Sequence, residues 1–208
     1  MDLTEKEIIY STDERFDLIK ELCHLSKNLY NAALYDVRQY YFETKLYRSW
    51  KSQRPIFTKS KNPDYYALQS HLAGEIFKQV GEQFINFFNN KSDKKKRIPK
   101  YKDKNGYNVV TFPKITISNQ IEFNSDKQLY TYTLCKRSYN LKIQSTQPNV
   151  KMVKFVYDEA NDLIKCFKIY KVEHPKLKKD NSRYFSIDPG LNNIVSIYNN
   201  IGIRPLLY

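Results

Sequence analysis

Val150-Lys151-Met152-Val153-Lys154-Phe155-Val156-Tyr157 and Ile164-Lys165-Cys166-Phe167-Lys168-Ile169-Tyr170-Lys171 frame a Glu-Ala-Asn-Asp turn. Both runs alternate apolar with polar residues, the period of a half-buried strand, and the turn between them makes them a hairpin. The same period holds upstream over Asn108–Phe112, Ile115–Phe123, Leu129–Leu134 and Tyr139–Gln144, with Asn-Ser-Asp, Lys-Arg-Ser and Thr-Gln-Pro-Asn between the later runs. A short apolar run at Ile8-Ile9-Tyr10 adds one strand to the same sheet. Seven closely spaced strands predict a small antiparallel barrel. Lys151, Lys154, Lys165 and Lys168 are read as outward residues of adjacent strands, giving that barrel one basic face.

Ahead of the strands the period is 3.6. Phe16, Ile19, Leu22, Cys23, Leu29, Tyr30, Ala33, Leu34, Val37 and Tyr41 recur at spacings of three and four, which predicts one long helix to about Thr44, capped by Thr12 or Asp13. Residues 45–61, with Pro55, read as a loop. Asn62-Pro63-Asp64 is a helix start, and Leu68, Leu72, Ile76, Val80, Phe84, Phe87 and Phe88 stripe a second helix of some 27 residues. The two are expected to pack antiparallel. The fold class is therefore α+β.

Charge singles out the middle of the chain. Residues 1–90 hold 12 basic and 12 acidic side chains, residues 91–183 hold 22 and 9, and residues 184–208 hold one of each. The whole +13 excess thus falls where phosphates would be neutralised, or where a lysine-rich surface is simply solvated. Lys91–Lys104 is the densest part, with Lys94, Lys95, Lys96, Arg97, Lys100 and Lys102 among its cations. It is too charged and proline-interrupted for a helix and is suited to lie extended along a nucleic-acid backbone. Tyr40 and Tyr41 stand beside Arg38, Lys45 and Arg48, and either stack bases or pack into the core. Cys23, Cys135 and Cys166 are odd in number and scattered through apolar segments, as suits reduced core residues in a cytoplasmic protein. No run of 18 apolar residues occurs, so no membrane span is expected.

Tyr184-Phe185-Ser186-Ile187-Asp188-Pro189-Gly190-Leu191-Asn192-Asn193-Ile194-Val195-Ser196-Ile197-Tyr198 reads as a hairpin with Asp188 at the end of its first strand. Asp-Pro-Gly is also ordinary turn chemistry. Ser186–Asn193 resembles the first catalytic motif, RuvC-I, of TnpB, the RNA-guided DNA nuclease of insertion sequences (OrfB-type putative transposase), itself similar to type V CRISPR effectors. Lys27-Asn28-Leu29-Tyr30-Asn31-Ala32-Ala33-Leu34 is similar to that family's first-helix signature, and Ile98-Pro99-Lys100-Tyr101-Lys102 to the segment entering its β-barrel.

The resemblance implies an oligonucleotide-binding-like (wedge) barrel over 1–11 and 98–178, a helical recognition insertion over 12–97, and the first hairpin of an incomplete ribonuclease H-like (RuvC) domain over 179–208. It implies partners in a transposon-derived guide RNA and a target DNA duplex, with Asp188 as catalytic residue and ligand to Mg²⁺ or Mn²⁺. No Asp, Glu, His or Cys follows Asp188, whereas the family supplies further carboxylates downstream beside a Cys-x-x-Cys zinc ribbon. The chain is accordingly expected to be the N-terminal part of such a nuclease and not itself an enzyme. Three options stay open: a decayed nuclease with a vestigial Asp188, a nuclease-free RNA-guided regulator, or half of a split nuclease completed in trans by a second polypeptide. The family's second helix is also implied to carry Ser-Gln-x-Ala-Gln-Gln against the target-flanking duplex. This chain has Ser70-His71-Leu72-Ala73-Gly74-Glu75 there.

Overall fold

The computed structural model describes residues 1–89, 97–172, 182–188, 196–202 and 206–207. Two units divide the chain, Met1–Val172 and Glu173–Tyr208.

In the first unit β1 (Asp2–Tyr10) leads into α1 (Phe16–Thr44). The predicted apolar stripe of α1 is buried from Phe16 to Val37. The cap differs from expectation. Arg15 occupies the N-cap position, and Asp13 instead accepts from the Arg15 backbone N–H at 2.9 Å and from its guanidinium at 2.7 and 2.8 Å.

Residues 50–59 are not a loop but a helix, α2 (Trp50–Lys59), with Pro55 inside it. Proline removes one helical hydrogen bond. Ser49 caps the start, and Gln53 and Phe57, one turn apart, are buried anchors. Gln53 Nε2 donates to Ala33 O at 2.8 Å, and Arg48 pairs with Asp36.

Asn62 caps as expected, accepting from Tyr65 N at 3.1 Å, but the helix it starts is the short α3 (Pro63–Tyr66). A break follows before α4 (Ser70–Asn89), whose first N–H groups, those of His71 and Leu72, donate to Gln69 Oε1. The direction of α4 corrects the antiparallel pairing with α1. Asn108 links Ser26 to Gln79, Tyr30 donates to Gln83, and Tyr41 packs on Phe88, so the two helices ascend together. The antiparallel partner of both is α2, which carries the chain back: Trp50 lies at Gly81 and Phe57 at Phe77.

A Cβ on Gly81 would lie 2.8 Å from Tyr47 Oη and 3.1 Å from Trp50 Cβ. Alanine ordinarily stabilises a helix by up to about 1 kcal/mol over glycine. Here overpacking costs about 1–3 kcal/mol, so Gly81→Ala is expected to lower the melting temperature. A rise would mean that Tyr47 and Trp50 yield freely.

The strands form two antiparallel sheets in this unit, without a closed barrel among the described residues. One has the order β1-β7-β6-β2, from β2 (Val110–Pro113), β6 (Val150–Asp158) and β7 (Leu163–Lys171). The other is β3-β4-β5, from β3 (Glu122–Asn124), β4 (Leu129–Leu134) and β5 (Leu141–Ser145). The predicted strand over 115–123 is broken because Pro113 ends the ladder with β6 and the chain turns through a 3₁₀ helix at Lys114–Thr116. An isolated bridge between Ile117 and Leu134 then joins the sheets. β1 and β5 meet only through side chains, such as Ser145 Oγ donating to Glu5 Oε2 at 2.5 Å.

All three cysteines are buried and unbridged. Burial pushes the Cys23 and Cys166 thiols up to about 12 and the Cys135 thiol up to about 11, consistent with core residues.

The second unit is a three-stranded antiparallel meander. β8 (Phe185–Asp188) pairs with β9 (Ser196–Asn199), giving the expected hairpin. The outer side of β9 is covered in turn, since β10 (Leu206–Leu207) pairs with Ile197 and Ser196.

Candidate nucleic-acid interface

From Arg97 to Val109 the chain belongs to no helix or strand, and it lies along α1 as a strap in reverse order. Tyr107 meets His24, Lys104 meets Lys27, Lys102 meets Asn31, and Pro99 and Tyr101 meet Arg38. The strap turns once on the way, where Gly106 N–H donates to Asp103 O at 3.1 Å.

The grip is on the strap's main chain. Asn31 Nδ2 donates to Lys102 O and Lys102 N donates to Asn31 Oδ1, both at 2.9 Å, so one amide acts as a neighbouring strand would. Lys27 Nζ donates to Lys104 O, and Arg38 Nη1 to Pro99 O at 3.4 Å. Asn108 anchors the far end. It is 4% exposed, its N–H reaches Cys23 O, and its amide bonds Ser26 Oγ at 3.2 Å and Gln79 Oε1 at 2.9 Å. Positions 24, 27, 31 and 38 fall on one helical face. Tyr101, Tyr107 and Asn108 add side-chain contacts to this docking, while Arg97, Lys100 and Lys104 stay exposed.

Arg97 and Lys100 are exposed. Lys102 is half-buried with Nζ 5.2 Å from the centre of the Tyr30 ring, and desolvation moves its pKa below the usual lysine value. Among the described residues no carboxylate pairs with Arg97, Lys100, Lys102 or Lys104. Lys94, Lys95 and Lys96 lie outside the described residues. Tyr40 and Tyr41 part company: the Tyr40 ring is covered by the Arg48 guanidinium at 4.3 Å, whereas the Tyr41 ring packs on Phe84, Phe87 and Phe88.

The four strand lysines do not share a face. Lys165 and Lys168 are three apart, which in a regular strand puts them on opposite sides. Lys168 stands opposite Val153 and Glu5 on the core side, 3% exposed, with Nζ 2.8 Å from Glu7 Oε2 and 3.4 Å from Glu5 Oε1. Lys154 and Lys165 take the other face, Lys165 paired with Asp158 at 2.6 Å. Lys151 sits at a register shift and lies 3.6 Å from Asp2. The single basic face is thus corrected.

A groove of about 210 Å³ runs between α4 and the β2–β6 edge, and Glu75 and Glu82 line it with Lys78, Thr111 and Lys154. Its mixed charge makes no continuous basic track. Asp188 ends β8 opposite Ser196. No group of three His, Cys, Asp or Glu able to hold a metal occurs among the described residues, and no helix there is long and apolar enough to cross a membrane.

No protein-family model matches the chain, and no curated protein matches it. The sequence reading assigned no docking role to Lys27, Asn31 or Asn108. The available signal was Lys27 itself, a cation inside the apolar stripe of α1 where only a satisfied one is tolerated.

Proposed function

We propose that this chain binds nucleic acid through the Arg97–Lys104 strap and the adjoining face of α1, as the RNA- and DNA-gripping part of a TnpB-like RNA-guided nuclease. The observation that carries the reading is the docking of the strap on α1. It joins two stretches of separate resemblance, Lys27–Leu34 and Ile98–Lys102, and among the described residues it leaves Arg97, Lys100, Lys102 and Lys104 without carboxylate partners. A row of such cations suits successive phosphates, whose counterions are released on binding.

As a nuclease the chain is incomplete in this reading. Hard divalent ions of this chemistry need several oxygen ligands. No acid follows Asp188 in the sequence, and among the described residues no group of three His, Cys, Asp or Glu fits a Mg²⁺ or Mn²⁺ centre. Asp188 becomes a ligand only with further carboxylates beside it.

The test is purification from a host carrying the surrounding transposon DNA, with sequencing of any RNA that copurifies. A discrete structured RNA is expected. Its binding should weaken roughly a hundredfold between 50 and 200 mM salt. Random RNA, or binding indifferent to salt, would sink the reading.

A further inference from the structure

Lys27 is 3% exposed, yet no carboxylate pairs with it among the described residues. Its ammonium has three N–H donors, and the one hydrogen bond described goes to Lys104 O. A buried cation without a countercharge is costly. Lys27 lines an open depression of about 580 Å³ with Lys102, Lys104, Asn28, Asn31 and Asp64. Three cations and two amides thus converge on one hollow. Asp64 is the one acid in its lining, and no ion pair joins it to the lysines.

We infer that this depression is a phosphate-binding site, in which an anionic oxygen completes the coordination of the Lys27 ammonium and Lys102 and Lys104 close over it. Charge-assisted hydrogen bonds from ammonium groups to phosphate oxygens are short and strong, and the half-buried setting strengthens them. Asp64 at the rim opposes the anion and tunes its affinity downward. The inference deepens the nucleic-acid reading by naming where a backbone phosphate seats, and it rests on that reading only for the source of the phosphate.

The experiment is calorimetric titration of the full chain with pyrophosphate, followed by competition of pyrophosphate against a labelled single-stranded RNA. Lys102→Met and Lys104→Met, at half-buried and exposed positions that leave the main-chain clamp in place, are each expected to weaken pyrophosphate binding at least about fivefold. Asp64→Asn should tighten it, and Lys136→Met, in the turn after β4, should leave it unchanged. Competition with RNA identifies the occupant as backbone phosphate. Pyrophosphate binding without RNA binding keeps the site, as one for a free anion, and refutes the nucleic-acid reading. No pyrophosphate binding, or a loss equally large in Lys136→Met, overturns the site even if RNA binds elsewhere on the strap.

Discussion

Lys168→Met is expected to destabilise the chain by about 3 kcal/mol at neutral pH, the lower end of what removing one member of a buried ion pair costs. The lysine side chain is 4% exposed and lies between Glu5 and Glu7, whose own side chains keep 24% and 26% exposure. That residual exposure places the effect at the lower end. Burial pushes the Glu7 carboxyl up, but hydrogen bonds from Lys168 and Arg15 outweigh it and hold Glu7 below the usual carboxylate range. A depressed carboxylate contributes stability above its unfolded pKa and loses it as pH falls through the folded one. Without Lys168 the burial effect is opposed by Arg15 alone. The penalty of the variant should therefore be greatest near pH 7 and shrink on acidification through about pH 4, the range of an unfolded glutamate. Urea denaturation at both pH values measures it. Lys165→Met, which breaks a more exposed pair, should cost under about 1 kcal/mol. An equal loss in the two variants would show that burial of Lys168 carries no energetic consequence.

The same lysine shows where sequence reading stopped. β4 was legible from its alternation, β7 from its apolar and β-branched content after a turn although Cys166 and Phe167 break the period, and α1 in its buried face from its period of 3.6. Two lysines three apart carried a warning in their parity, which composition alone concealed. The parallel course of α1 and α4 was hidden by Pro55, which made a returning helix look like a loop and left the antiparallel pairing as the default. β10 is two leucines, too short for any period. In the candidate site the lack of helix or strand over 97–104 was legible from charge and proline. The docking of the strap was not, because Asn31, Lys27 and Arg38 hold carbonyl and amide groups that every sequence has, and only the fold says which are presented.

That main-chain grip separates charge from position at the interface, and two variants exploit it. Arg97→Ala/Lys100→Ala/Lys104→Ala removes three exposed cations while leaving the Lys102 backbone on Asn31 and the Lys104 carbonyl on Lys27. Folding should be unchanged within about 0.5 kcal/mol, as for surface substitutions generally. Binding to single-stranded RNA should weaken by roughly a hundredfold, and the slope of log affinity against log salt should fall by about 2, since each lost phosphate contact is worth about 0.7. Asn31→Ala does the reverse. It removes no charge but frees the strap, so the cations must be ordered during binding. Its affinity loss should be smaller, roughly tenfold, as expected for about 1.4 kcal/mol, and its salt slope should match the wild type. If Asn31→Ala also flattens the slope, the cations reach phosphate only when clamped. If the triple variant keeps the full slope, the strap is not where the phosphates lie.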